Sequence, residues 1–437
     1  MGEHTDYNEG LVLPFALAQG VIATVAARAD GLLVLRSKQM TGDPVIVAVG
    51  ELSPGSVRGW AAYPAGVAWA LAAAGYPVGG ADIDIDSDLP VGAGVSSSAA
   101  LECSVALALC ELGGFAVERR ELAAIARRAE NDFVGAPTGM IDQSAALLCQ
   151  AGHAMLLDCR TRRIRQVPFD PARSGMVALV VDTQVPHALV SGEYAARRAE
   201  CEEAARQLGV LSLGSLIPAG PASAGSDPRP AGTASAAADV VEAVLRRLAD
   251  PVLRRRVRHV LMDSARARAI ADLLSATEDR PGPATERVAM AGSVGSGAVK
   301  GSIDPLTAPD PENRLGLGPV GPHARVARAT STPAPTPSTL GTYRPIGELL
   351  TEGHASLRDD FEVSWEAADV TVSTLVAAGA LGAKMIGGGF GGSVLALVPV
   401  DAVPGVRAAV TAEFARRSWE APGFLDAVPS PAARQLA

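Results

Sequence analysis

Leu89-Pro90-Val91-Gly92-Ala93-Gly94-Val95-Ser96-Ser97-Ser98-Ala99-Ala100 is the stretch on which the fold turns. Upstream of it, Ala81 to Asp86 alternates Ile83 and Ile85 with Asp82, Asp84 and Asp86, the period of a half-buried strand. Downstream, Leu101, Val105, Ala108, Leu109 and Leu112 recur at helical spacing. The segment therefore joins a strand to a helix through small residues, with three hydroxyls and free N–H groups at the helix start. Such a junction suits a phosphate, which backbone donors and the helix dipole both favour. Two familiar nucleotide signatures do not fit: no Gly-Lys-Ser/Thr follows, and no second Gly-x-x-Gly spacing is present. The competing reading is a flexible strand-to-helix turn with a serine cap.

Toward the N-terminus, Leu32–Leu35 and Val45–Val49 are β-type runs bounded by Gly, Asp and Pro, and 59–74 reads as helix. Toward the C-terminus a second helix is expected over 118–131, strands near 153–158, 164–168 and 177–182, and a charge-rich amphipathic helix over 192–208. Residues 218–238 are Ala, Gly, Pro and Ser with little hydrophobic period, and 239–275 turns helical again with an Arg-rich face. Residues 277–342 carry ten prolines, nine glycines and no aromatic, too little apolar surface to offset the entropy of ordering, and are expected to be disordered. Order resumes at Arg344, with helices over 345–358 and 363–378, a strand at Lys384–Ile386, a second at Ser393–Val398 and a last helix over 402–418.

Three further features bear on chemistry. Glu130 ends a predicted helix, and Asp142 with Gln143 lies beside an apolar stretch, where a partly buried carboxylate is costly unless paired or functional. Asp142 could serve as a base, a metal ligand or the cap of a helix over 143–149. Gly387-Gly388-Gly389-Phe390-Gly391-Gly392 places five glycines between two strands, which requires unusual φ values or very close backbone approach. Glu3-His4-Thr5-Asp6-Tyr7-Asn8 gathers polar groups ahead of an apolar run, an arrangement suited to hydroxyl recognition, although a solvated terminus would look the same.

Composition narrows the function classes. The 437 residues are 48% hydrophobic with a net charge of −9, a globular balance that argues against nucleic-acid or anionic-membrane partners. Three lysines stand against 35 arginines, which fits codon bias. Five cysteines without metal-ligand spacing suit packing in a reducing, cytoplasmic compartment. No apolar run reaches the ~18 residues of a membrane span, and no signal peptide is visible.

Taken together, these segments resemble the galactokinase family of the GHMP small-molecule kinases. Gly2 to Asn8 resembles its sugar signature, Val91 to Ala99 its phosphate loop and Gly387 to Gly392 its third motif. Ser191-Gly192-Glu193-Tyr194, Arg256 to Val260 and His354 to Ser364 are also similar to galactokinase segments. The resemblance implies an α+β fold of two lobes with the ligands in the cleft between them. An N-terminal lobe like ribosomal protein S5 domain 2 would span 1–183. A ferredoxin-like C-terminal lobe would combine 184–276 with 344–437, interrupted by the 277–343 insertion. It further implies phosphorylation of α-D-galactose at the C1 hydroxyl by ATP with Mg²⁺, in a monomer. Asp142 would be the base, and Glu3, His4, Asp6, Gly139 and Tyr194 would hold the sugar. Gly92, Gly94, Val95, Ser96, Ser97, Ser98 and Ala99 would form the ATP site, and Ser98 with Glu130 would hold Mg²⁺. A kinase for another sugar and a ligand-binding sensor of impaired activity are the alternatives.

The family signature opens with Gly-Arg-Val-Asn-Leu-Ile before Gly-Glu-His, whereas this sequence starts at Met1, inside the motif. A start assigned too far downstream is the expectation. Restoring the arginine should raise the rate, since one such charge is worth about 10²–10³.

Overall fold

The computed structural model describes residues 1–89, 94–185, 192–217, 234–278 and 337–436. In chain order its first half comprises β1 (Leu11–Val12), β2 (Val21–Arg28), β3 (Leu32–Ser37), β4 (Val45–Ala48), α1 (Ala62–Ala73), β5 (Gly80–Ser87), α2 (Ser97–Gly113), α3 (Arg119–Arg128) and α4 (Ile141–Leu148). Four of these strands form one sheet in the order β2-β5-β3-β4. β3 and β5 run parallel, with Leu33 opposite Ala81. A parallel pair needs a crossover, and β4 with α1 supplies it. The inward residues Leu33, Leu35, Ile83 and Ile85 meet Leu71 of α1, Leu109 of α2 and Ile125 of α3 in one core. Cys103 and Cys110 are buried in the same core, and all five cysteines are free thiols, as the packing reading expects.

β6 (His153–Asp158) and β7 (Arg163–Pro168) pair as a hairpin with β1 on the other side of β6. β8 (Met176–Asp182) then begins a second four-stranded sheet, which is completed late in the chain. Between come α5 (Glu193–Leu208), α6 (Ala234–Leu245), α7 (Pro251–Glu278), α8 (Pro337–Asp359) and α9 (Glu366–Ala377). β9 (Gly382–Met385), β10 (Ser393–Pro399), α10 (Val403–Arg416) and β11 (Gly423–Ala427) follow. The sheet order is β11-β8-β10-β9, antiparallel throughout. Leu179, Val181, Val394 and Ala396 face the core built by α5, α7, α9 and α10. Val180 and Leu395 point the other way, into a cleft.

Several boundaries differ from the sequence reading. The helical stretch over 239–275 is two helices, with α6 starting at Ala234. The break is local chemistry: Asp250 accepts a hydrogen bond from the Val252 amide at 2.7 Å, and Pro251 opens α7. α8 starts at Pro337 and passes through Pro345, where the sequence suggested a helix start. Tertiary packing overrides the weak propensity of that segment, since Tyr343 and Ile346 are buried against Ile270 and Leu274 of α7. Most of the segment expected to be disordered lies outside the described residues, and at its edges α7 reaches Glu278 while α8 begins at Pro337. β2 and β11 were not read from the sequence. Among the described residues no helix is long and apolar enough to cross a membrane.

α8 crosses β9 backbone to backbone. A Cβ on Gly382 would collide with the Gly347 carbonyl, and one on Gly347 with the Leu381 carbonyl. This approach sets the height at which β9 delivers the glycine loop. Gly382→Ala is expected to destabilise the protein by about 1–3 kcal/mol through overpacking, read as a lower urea midpoint with an unchanged m-value.

Candidate active site

A cleft of about 1790 Å³ runs between the two sheets, bounded by the Gly2–Asn8 turn, the start of α2, the start of α4 and the glycine loop. The N-terminal turn is held from within and from behind. The Thr5 hydroxyl reaches the Gly2 carbonyl at 2.8 Å, and the Asn8 amide donates to the His4 carbonyl at 2.8 Å. From α7, Asp263 accepts the Gly2 N–H at 2.8 Å, Ser264 accepts the Leu11 N–H at 3.2 Å, and His259 lies 3.0 Å from the Glu3 carbonyl. All three α7 residues are fully buried.

Each side chain of the turn is set electrostatically. Burial works against the charge of Glu3, but its ion pair with the fully buried Lys384 of β9 outweighs that and holds the carboxyl below its usual range. Burial, with His259 nearby, pulls His4 down to about 3, so its ring is neutral. Its Nε2 lies 3.2 Å from the Gly388 carbonyl and must carry the proton, and Nδ1 then accepts from the Tyr7 hydroxyl at 3.0 Å. Burial raises Asp6, whose two oxygens accept the Tyr7 and Ile141 amides at 2.9 and 3.3 Å. A Cβ at Gly139 would overlap the Asp6 carboxylate, so glycine is what lets that carboxylate sit there.

Asp142 occupies the first turn of α4, whose cap position is Met140, so the capping reading of Asp142 does not hold. Burial pushes its carboxyl up to about 7 against a hydrogen bond from Ser96, while Asp6 and Glu130 add to the rise. Ser96 sits in the left-handed region at φ 59° and does not cap α2. Its hydroxyl acts on Asp142 instead, lowering that carboxyl against the effect of burial.

Glu130 lies past the end of α3, in a π-helical turn over Ala129–Val134. The Thr138 hydroxyl and the Gln143 amide converge on its Oε2 at 2.6 and 2.8 Å. The same Gln143 amide nitrogen donates to Glu102 of α2 at 3.0 Å. Burial pushes Glu102 up to about 10, reinforced by Glu130. Opposite, Gly387, Gly389, Gly391 and Gly392 all have positive φ, and Phe390 joins them at 59°. A Cβ on Gly387 would come within 3.0 Å of the Gly94 carbonyl, so the glycine loop lies against the start of the phosphate-type loop.

The sequence-derived residues are thus brought together. Glu3, His4, Asp6, Gly139 and Tyr194 line the cleft, as do Asp142 and Glu130. Gly94, Val95, Ser96, Ser97 and Ser98 line it too, whereas Ala99 is buried and does not. Gly92 lies outside the described residues. Sequence reading missed Lys384 and Glu102. Their signals were present: one of three lysines in the chain, and the single charged residue between Ala99 and Cys110.

Comparison with known proteins decides the family. A model of the galactokinase galactose-binding signature matches residues 1–27, and models of the GHMP kinase N- and C-terminal domains match 62–150 and 338–416. A galactokinase of Streptomyces coelicolor is 40% identical over 437 residues, covering 100% of this chain and 91% of that one. The chain belongs to the galactokinase family of GHMP kinases. A Mycobacterium tuberculosis galactokinase is 36% identical over 97% of the chain and 95% of its own. The crystal structure of Lactococcus lactis galactokinase complexed with galactose superposes with a TM-score of 0.77 at 26% identity, covering 100% of this chain and 92% of that one. The two-lobed α+β fold of this kinase family is therefore the fold of the chain.

The carboxyl of Asp142 should titrate near pH 7 rather than near 4. Asp6→Asn, which removes a neighbouring negative charge, is expected to lower that midpoint, as followed by ¹³C chemical shifts of the aspartate carboxyls.

Proposed function

We propose that the chain transfers the γ-phosphoryl group of ATP to the C1 hydroxyl of α-D-galactose. The observation that carries this reading is one cleft in which Asp142, poised near neutrality, lies between the Gly2–Asn8 turn with Gly139 and the Gly94–Ser98 loop. Phosphoryl transfer asks for positioning and charge neutralisation rather than covalent chemistry. A carboxylate with a pKa of about 7 suits a general base at physiological pH.

In this reading Glu3 and Asp6 hydrogen-bond the sugar hydroxyls, whereas both ring nitrogens of His4 are taken by Gly388 and Tyr7, so His4 lines the pocket by packing. Tyr194 closes the pocket beside that ring, 5.1 Å away between centroids. Neutral His4 offers no formal charge, so the selectivity among hydroxyls rests on Glu3 and Asp6. Asp142 takes the proton of the C1 hydroxyl as that oxygen bonds to the γ-phosphorus and the bond from the γ-phosphorus to the bridging oxygen breaks, releasing ADP, with the Ser96 hydroxyl acting on the carboxylate beforehand. The N-terminus of α2 presents its free amides to the triphosphate.

The donor set fits Mg²⁺. Among the described residues no group of three or more His, Cys, Asp or Glu could hold a metal, and Mg²⁺ bound alongside a nucleotide needs only one or two protein oxygens. Ser98 and Glu130, a hydroxyl and a carboxylate on the same cleft, would hold it. The ion would neutralise charge on the phosphates. No feature favours the sensor or another sugar over galactose.

A coupled ADP-release assay with galactose, ATP and Mg²⁺ tests the proposal. Asp142→Asn should lower kcat by about 10²–10⁴ while galactose still raises the melting temperature. With the wild-type chain kcat should fall about tenfold per pH unit below about 7, because the base is lost as its carboxyl gains a proton. Turnover by Asp142→Asn at the wild-type rate would remove Asp142 from the role. Gly139→Ala, which displaces Asp6, should raise the galactose KM by roughly tenfold, about 1.4 kcal/mol, with a smaller effect on kcat.

A further inference from the structure

Glu102 has no part in the reaction so far described. It is fully buried on α2, one helical turn past Ser98, and does not line the cleft. Its Oε2 accepts one hydrogen of the Gln143 amide, and the other hydrogen of that amide goes to Glu130 Oε2. Gln143 is itself 1% exposed, so both amide hydrogens are committed and no solvent competes for them. Among the described residues, Glu102 Oε1 and Gln143 Oε1 have no hydrogen-bond partner. A buried acid with an unpaired oxygen is unfavourable for stability, so folding alone does not account for its presence.

The geometry points to Glu102 as a positioning residue that fixes the Gln143 amide and, through it, the carboxylate of Glu130. An amide can turn over and present either its oxygen or its nitrogen. Turned over, Gln143 would set an acceptor against the acceptor Glu130. Glu102, an acid that burial keeps neutral, accepts with Oε2 on the far side of the NH₂ group, so the observed orientation is held by a second bond beside that to Glu130. Without Glu102 the amide is held by one hydrogen bond in place of two, and where it swings away Glu130 keeps the Thr138 hydroxyl alone as its anchor. Outer partners of this kind commonly change metal affinity or activity by about 10–100-fold. The inference rests on the proposal that Glu130 holds Mg²⁺.

The test uses the full chain with Glu102→Ala, Glu102→Gln, Gln143→Met, the double variant Glu102→Ala/Gln143→Met, and Glu130→Ala. Two readouts are taken: steady-state kinetics, and the extra rise in melting temperature that ATP gives with Mg²⁺ over ATP with a chelator. Glu102→Ala and Gln143→Met should each lower kcat by about 10–100-fold and shrink the metal-dependent rise, with the galactose KM within about twofold. The double variant should be no worse than either single one, because both break the same linkage. Glu102→Gln, which keeps an acceptor for the amide, should stay within about threefold of wild type. If Glu102→Ala does not fold, Gln143→Met and Glu102→Gln carry the comparison. Should Glu130→Ala abolish the metal-dependent rise while Glu102→Ala and Gln143→Met keep it, positioning by Glu102 is overturned. An equal loss in Glu102→Gln and Glu102→Ala overturns it too, since the acceptor is present in one and absent in the other. If Glu130→Ala keeps the metal-dependent rise, the assignment of Glu130 itself fails, and this result is distinct from the other two.

Discussion

Four acids, Glu3, Asp6, Glu130 and Asp142, line one cleft whose proposed ligand is a polyanion, and a fifth, Glu102, is buried outside that lining against Gln143. Two like charges 4 Å apart repel by about 4 kcal/mol at an effective dielectric of 20, so the group cannot all be ionised and unpartnered. The structure answers differently at each position. Lys384 neutralises Glu3, backbone amides hold Asp6, Gln143 and Thr138 hold Glu130, and burial keeps Glu102 neutral. Burial, opposed only by the Ser96 hydroxyl and reinforced by the repulsion of its acidic neighbours, places the Asp142 carboxyl near 7. The property the proposed chemistry needs is thus what remains after its neighbours have been satisfied.

The second organising constraint is backbone proximity. The glycine loop lies against Gly94, Gly388 accepts from His4, and Gly382 lies against Gly347. At Gly387, Gly347 and Gly382 a side chain would press on the backbone opposite. His4 is the hinge pin of this arrangement: its neutral ring ties the N-terminal turn to the glycine loop and packs on Phe361, 4.7 Å between centroids. A charged imidazole there would sit desolvated among aromatic rings, which is why burial holds its pKa so low.

Legibility in the sequence followed the range of the interaction. Period-two alternation located β5, and helical spacing located α2, because both patterns report on neighbours within one element. The start of α8 was missed because Tyr343 and Ile346 are helical through contacts with α7, more than 60 residues away. The π-helical turn that carries Glu130 leaves no periodic trace over so short a span. Glu102 was visible as a lone charge in an apolar helix, yet its meaning depended on Gln143, 41 residues on.

By itself the sequence determined the inventory: a strand-to-helix loop of small residues, a glycine loop, a polar N-terminal turn and the acids Glu130 and Asp142, together with the family they resemble. These are local patterns of residue type and spacing, and local patterns survive without coordinates. Only the tertiary structure decided which acid is charged, which proton His4 carries, why residue 139 has no side chain and how Glu102 reaches Glu130. Those outcomes are set by burial and by partners far along the chain, and electrostatic free energy in a folded protein depends on distance in space rather than separation in sequence.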